Sequence, residues 1–165
     1  MENENIKIVE MLKKRGMTLA IAESLTGGLV SSAICGVPGA SEVLLEGVVS
    51  YTDESKITRL GVRRETIEIH TSVSSQTAAE MAEGVRKNLG ADIGISTTGV
   101  AGPGEADENG NPRGLVYVGL SSGNETSVSR HMFDGTRNAI REQAKDICLE
   151  RLYEILYEKE RKNND

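Results

Sequence analysis

Tryptophan is absent from this 165-residue chain and phenylalanine occurs once, so aromatic residues make up only 3% of it. The base-stacking platforms that hold single-stranded nucleic acid are therefore poorly supplied. A formal net charge of −6 argues in the same direction against broad binding to a polyanion. Nucleic acid is not expected as a partner, although a local basic pocket could still hold one phosphate. Cysteine is scarce too. Neither Cys35 and Cys148 nor the two histidines, His70 and His131, have neighbours at metal-ligand or redox spacing. No metal site and no cofactor is expected, and both cysteines read as reduced, packed thiols. No apolar run approaches the roughly 20 residues needed to span a bilayer. The N-terminal sequence MENENIKIVEMLKKRG is too charged for a secretory signal. A cytoplasmic protein with no membrane partner is the expectation.

What is present suits one soluble domain. Hydrophobic residues form 38% of the chain and charged residues 27%, and the length is enough for one sheet covered by helices. The apolar pattern predicts helices over residues 4–15, 26–35, 53–60, 75–89 and 136–159, and strands over 18–22, 45–51, 92–98, 115–121 and 126–133. In the fourth helix Ala78, Ala82, Val85 and Leu89 form a stripe of mostly small residues. In the last, Ile140, Ala144, Ile147, Cys148, Leu152 and Ile155 face inward. Strands four and five meet at Ser122-Gly123-Asn124 and read as an antiparallel hairpin. Helices interleave with the early strands while the hairpin comes late. The expected fold is α/β, a three-layer α/β/α domain with a mixed sheet of about five strands. Residues 99–114 hold five glycines and two of the three prolines, a loop long enough to be functional or mobile.

Four segments place polar residues where a strand ends or a helix begins: 23–28, 50–56, 97–104 and 135–137. Ligands gather at such ends in open α/β sheets. In the first, Ala22-Glu23-Ser24-Leu25-Thr26-Gly27-Gly28, a serine sits where an apolar strand turns into a Gly-Gly helix start. Unpaired N–H groups and the positive end of a helix could stabilise an oxyanion or hold a carboxylate or phosphate there. Ser24 needs a base to become a nucleophile, and Lys56 is the candidate partner. Each residue also has a plainer reading. Ser24 is a helix cap, Lys56 a solvated charge, and Tyr51 a half-buried packing residue. Arg137 pairs with Asp134 or Glu54, Thr98 packs in a strand, and Ser41 caps a short turn. Yet Arg137 stands in a first helical turn, against the dipole, which suits a site for an anion.

In combination these segments resemble the CinA C-terminal domain family, which also occurs alone as nicotinamide-nucleotide amidohydrolase. The resemblance runs through AESLTGG at 22–28, PG.S at 38–41, VSYTDESK..LGV at 49–62, VS..TA.EMA at 73–82, TGVAGP at 98–103 and GTR at 135–137. It implies the three-layer fold and the hydrolysis, without metal or cofactor, of the carboxamide of nicotinamide mononucleotide (NMN) to nicotinate mononucleotide and ammonia. It places Ser24 as nucleophile, Lys56 as base and Tyr51 as orienting or proton-relaying residue, with Ser41 as the alternative nucleophile. The N–H groups of Thr26, Gly27 and Gly28 are the expected oxyanion donors. Arg137, Thr98, Gly99 and Ser41 are expected to hold the nucleotide. Many family members carry a preceding domain that resembles molybdopterin-binding proteins, and its activity is not expected from this chain. The competing readings are a non-catalytic pyridine-nucleotide-binding module and a competence-associated accessory protein. Self-association into a homo-oligomer is left open.

Overall fold

The computed structural model describes residues 2–164, with side chains over residues 4–158. Its elements run α1 (Glu2–Arg15), β1 (Leu19–Glu23), α2 (Leu29–Cys35), a 3-10 turn (Ala40–Glu42), β2 (Leu44–Val49), α3 (Asp53–Leu60), α4 (Arg64–His70), α5 (Ser75–Asn88), β3 (Ile93–Gly99), β4 (Leu115–Ser122), β5 (Glu125–Met132) and α6 (Arg137–Asn164). The five strands form one sheet in the order β2-β1-β3-β4-β5. β1 runs parallel to β2 and β3, while β3, β4 and β5 are successively antiparallel. The expected mixed sheet is thus observed.

Two cores account for the three layers. β1 is buried on both faces, and its side chains alternate between them as a strand requires. Leu19 and Ile21 join the larger core with Ile8 and Leu12 of α1, Ile34 of α2 and Ile140, Leu152 and Leu156 of α6. Ala20 and Ala22 join the smaller one with Leu60, Met81 and Val85, on the α3–α5 side. Small residues bring α5 onto the sheet. A Cβ on Gly94 would lie 2.2 Å from the Ala82 carbonyl oxygen, and one on Gly119 would lie 2.3 Å from that of Ala78. Neither backbone could approach if these positions carried a side chain.

Several readings of the sequence change here. α4 was not expected; its seven residues bury little besides Thr66, so it has no apolar stripe to reveal it. Leu89 lies beyond the end of α5 and is 56% exposed, while Met81 takes the buried place on that helix. On α6 the fully buried stripe includes Leu149 and Leu156, with Ile147 and Ile155 at its margins. Cys148 is buried and free, but Cys35 is exposed. Burial pushes the Cys148 thiol well above its ordinary pKa, which leaves it unreactive. Among the described residues no helix is long and apolar enough to cross a membrane.

Candidate active site

The parallel strands β1 and β2 run the same way, so Glu23-Ser24 and Ser50-Tyr51 emerge side by side at their carboxyl ends. The Ser50 N–H donates to the Glu23 carbonyl at 2.8 Å and ties the two ends together. α3 begins two residues later. Thr52 caps it by accepting from the Ser55 N–H at 3.1 Å, and this fixes the first turn so that Lys56 points back under the strand ends. Lys56 is 2% exposed and is among the largest fully buried side chains. The plain reading of Lys56 as a solvated surface charge is excluded.

Its Nζ has three partners: Ser24 Oγ at 3.1 Å, the Ser50 carbonyl at 3.0 Å and the Tyr51 carbonyl at 3.3 Å. A carbonyl can only accept, so two of the lysine N–H bonds are committed whatever its charge. Loss of the third proton therefore leaves the lone pair facing the Ser24 hydroxyl. Burial drives that loss by lowering the Lys56 pKa from 10.5 to about 8, against an opposing pull from the Asp53 carboxylate. About half of the amine is neutral at pH 8 and about a tenth at pH 7.

Ser24 is held at its backbone. Its N–H donates to the Thr97 carbonyl at 3.1 Å and lies 3.3 Å from the Thr97 hydroxyl, which is itself 2.8 Å from the Thr26 hydroxyl. The segment that follows is not the helix start expected from the sequence. α2 begins only at Leu29, because Gly27 and Gly28 both adopt positive φ, 57° and 103°, and form a turn instead. The positive end of α2 is already occupied. The buried Glu23 carboxylate accepts from the Val30 N–H at 2.9 Å, the Ser31 N–H at 3.0 Å and the Ser31 hydroxyl at 2.6 Å. Gly27 N–H donates to the Ser24 carbonyl at 3.0 Å and is equally spent. Among the described residues, the N–H groups of Leu25 and Thr26 have no hydrogen-bond partner, although both residues are buried. Unpaired donors of this kind are rare in protein interiors. Of the expected oxyanion donors Gly27 is therefore spent, whereas Thr26 and Gly28 have no partner among the described residues, and Leu25 adds a further free N–H.

A cavity of about 410 Å³ opens over Ser24 and Lys56, within the range of roughly 300–1,000 Å³ usual for small-molecule sites. Leu25, Tyr51, Asp53, Thr98, Gly99 and Arg137 line it, together with Ser72 and Val73 and, from the long loop, 100–103 with Asp107 and Glu108. That loop is ordered by Asp107, whose carboxylate accepts from the N–H groups of Asn109 and Asn111. Thr98 contributes a wall, and its hydroxyl proton is committed to the Ser72 carbonyl at 2.6 Å. Tyr51 is 54% exposed. It orients the Lys56 amine through its carbonyl, not its hydroxyl, which accepts from Arg137 Nη2 at 2.9 Å. Arg137 also donates to the Gly102 carbonyl. It pairs with neither Asp134 nor Glu54; the latter binds Arg64 at 2.8 Å. Among the described residues the Arg137 guanidinium has no carboxylate partner, and it faces the cavity.

Ser41 does not join this cluster. It is exposed in the 3-10 turn before β2, and so lies at the amino end of the strand whose carboxyl end carries Ser50 and Tyr51. Six residues of extended chain, Leu44–Val49, at about 3.3 Å each separate the two ends. Two residues that the sequence analysis left without a role belong to the site: Glu23, which anchors α2 behind Ser24, and Arg141. Arg141 donates from Nε to the Leu25 carbonyl at 2.9 Å and from Nη2 to the Thr26 carbonyl at 3.2 Å. Its spacing of four from Arg137 puts both on one face of α6.

Residues 2–156 match the CinA C-terminal domain family. The chain is 50% identical over 145 residues to a putative competence-damage inducible protein of Clostridioides difficile, covering 88% of this chain and 34% of that protein. It is 46% identical over 144 residues to a CinA-like protein of Kosmotoga olearia, covering 87% and 34%. The chain thus spans about a third of the length of the curated relatives it matches. Among solved structures, a CinA superfamily protein from Klebsiella pneumoniae superposes with a TM-score of 0.91 at 34% identity, covering 95% of this chain and 98% of that one. One from Escherichia coli does so with a TM-score of 0.90 at 30% identity, covering 93% and 89%. By sequence and by fold, this chain belongs to the CinA C-terminal domain family.

Proposed function

We propose that this domain is a serine–lysine amidohydrolase that converts NMN to nicotinate mononucleotide and ammonia. The observation that carries the reading is the buried Lys56 amine held between two carbonyls with its remaining valence on Ser24. A module that only bound nucleotide would gain nothing from burying an amine and lowering its pKa, whereas a serine nucleophile requires such a base. The substrate follows from the family resemblance, and the charges on the cavity wall support it. Arg137, whose guanidinium has no carboxylate partner among the described residues, suits a phosphate as a charged hydrogen-bond donor. The Asp53 and Glu108 carboxylates suit the positive pyridinium ring of the same zwitterion.

Neutral Lys56 takes the Ser24 proton as Oγ attacks the carboxamide carbon, and the N–H groups of Leu25 and Thr26 receive the oxyanion. The tetrahedral adduct collapses as the Lys56 ammonium protonates the departing nitrogen, releasing ammonia and leaving an ester on Ser24. Water, deprotonated by Lys56, then cleaves that ester and regenerates the serine. Incubation with NMN, followed by assay of ammonia and nicotinate mononucleotide, tests the assignment.

Arg137→Ala is expected to raise the KM for NMN by about one to two powers of ten, the worth of one lost charged hydrogen bond. The KM for nicotinamide riboside, which lacks the phosphate, should barely change. Equal losses on both substrates would show that Arg137 does not meet the phosphate. Chelation is expected to leave the rate unchanged. Among the described residues no three His, Cys, Asp or Glu side chains converge to hold a metal ion. Loss of activity in EDTA that a divalent ion restores would contradict the serine mechanism.

A further inference from the structure

We propose that Arg141 is a positioning residue for catalysis: it holds the peptide that follows Leu25 so that the Thr26 N–H, with that of Leu25, faces the oxyanion. This rests on the serine-hydrolase reading above, but not on the identity of the substrate.

In a trans peptide the carbonyl and the N–H point in opposite directions. The Leu25 carbonyl is drawn to Arg141 Nε at 2.9 Å, and Arg141 lies outside the cavity whereas Leu25 lines it. The N–H of the same peptide, that of Thr26, is therefore turned away from Arg141. The next peptide is clamped in the same way. Its Thr26 carbonyl accepts from Arg141 Nη2 at 3.2 Å and from the Leu29 N–H at 3.2 Å. Its own N–H, that of Gly27, closes the turn onto the Ser24 carbonyl. The two peptide planes on either side of Thr26 are thus fixed by one planar guanidinium, a fork that lysine cannot reproduce.

The guanidinium adds to the bonds that close the turn, from the Gly27 N–H to the Ser24 carbonyl and from the Leu29 N–H to the Thr26 carbonyl, and to the contact between the Thr26 and Thr97 hydroxyls. The turn is not helical, two glycines with positive φ follow it, and the positive end of α2 is already taken by Glu23. The Leu25 N–H, in the residue after the nucleophile, is a recurrent kind of oxyanion donor in serine hydrolases; the Thr26 N–H that Arg141 orients is the second, and both come from a turn rather than a helix terminus. The Asn138 carboxamide oxygen accepts from Arg141 Nη1 at 3.1 Å and steadies the guanidinium from its own helix.

Labelling by a fluorophosphonate probe reads this arrangement without NMN. In that reaction Ser24 Oγ bonds to phosphorus, the P–F bond breaks, fluoride leaves and the serine proton passes to Lys56. Charge on the phosphoryl oxygen is held by the same two N–H groups. The full wild-type chain is expected to be labelled at Ser24, located by peptide mass spectrometry. Arg141→Ala should be labelled roughly ten- to a hundredfold more slowly, less than the loss of a whole donor because the peptide is loosened rather than removed. Arg141→Lys, which can reach one carbonyl, should fall between them. The pH midpoint of labelling should stay at the wild-type value in both variants, since Lys56 is untouched. A merely structural role predicts a lower melting temperature with an unchanged labelling rate for the folded protein. That unchanged rate, in whichever variant is folded, overturns the proposal; so does a wild type that is not labelled at Ser24. Labelling that behaves as expected in a protein that leaves NMN unaltered keeps the role of Arg141 and removes the substrate proposed above.

Discussion

Ser24→Ala is expected to lower NMN deamidation on the order of 10⁴- to 10⁶-fold, the range seen when a hydrolase loses its nucleophile and keeps only binding and its oxyanion donors. The fold should survive. Ser24 is held by its backbone bond to Thr97, which alanine keeps, and the hydroxyl contributes one bond, to Lys56. Its loss should cost about 1 kcal/mol. Substrate binding should also persist, because Arg137 and the loop walls are unaltered, so the KM for NMN is expected to stay within a few-fold. Activity close to wild type would remove Ser24 from the nucleophile role. Ser41 could not replace it, since it lies at the other end of β2.

The second large effect is expected at Lys56. Lys56→Arg keeps the positive charge, but arginine stays protonated near neutrality, and loss of the general base should reduce the rate by about 10³-fold or more. In the wild type kcat/KM should climb with pH up to about 8, the pKa to which burial lowers Lys56, and then level off. The same shift makes a stability prediction whose sign is fixed. The unfolded chain binds a proton at this lysine up to 10.5 while the folded chain releases it near 8, so stability rises with pH between those values. The stability cost of the buried charge is complete below pH 8 and is relieved as pH climbs through that window. Measured against Lys56→Met, the wild type should gain about 2 to 3 kcal/mol between pH 7 and pH 10. A flat difference, or an active Lys56→Arg, would show that the lysine is a permanent cation and not a base.

Much of the scaffold could be read from the residues because its signals are local. The hairpin is announced by Gly123-Asn124 between alternating strands, and the three-layer arrangement by helices interleaved with β1 to β3. Ser24 and Lys56 could be paired as well, since both lie just past the ends of strands. What escaped depends on backbone conformation and on distance in sequence. Gly27-Gly28 reads equally as a helix start or a left-handed turn, and only the conformation decides which N–H groups remain free. Glu23 looked like a polar strand end. Its burial against α2 depends on the missing turn of helix. Arg141 lies 116 residues from the carbonyl it holds and resembles any charged residue on a solvated helix face. Ser41 carried a signal that could have excluded it. A residue before a strand parallel to β1 cannot meet one that follows β1.

Release of ammonia from NMN by the purified chain, followed across pH 6 to 10 together with nicotinate mononucleotide, tests the central claim most directly. One ammonia is expected for each nicotinate mononucleotide formed, with a rate that rises through about pH 8 as the Lys56 amine becomes neutral and falls on the order of 10⁴-fold or more with Ser24→Ala. No ammonia from wild-type protein at any of these pH values, or an equal rate from Ser24→Ala, would contradict it.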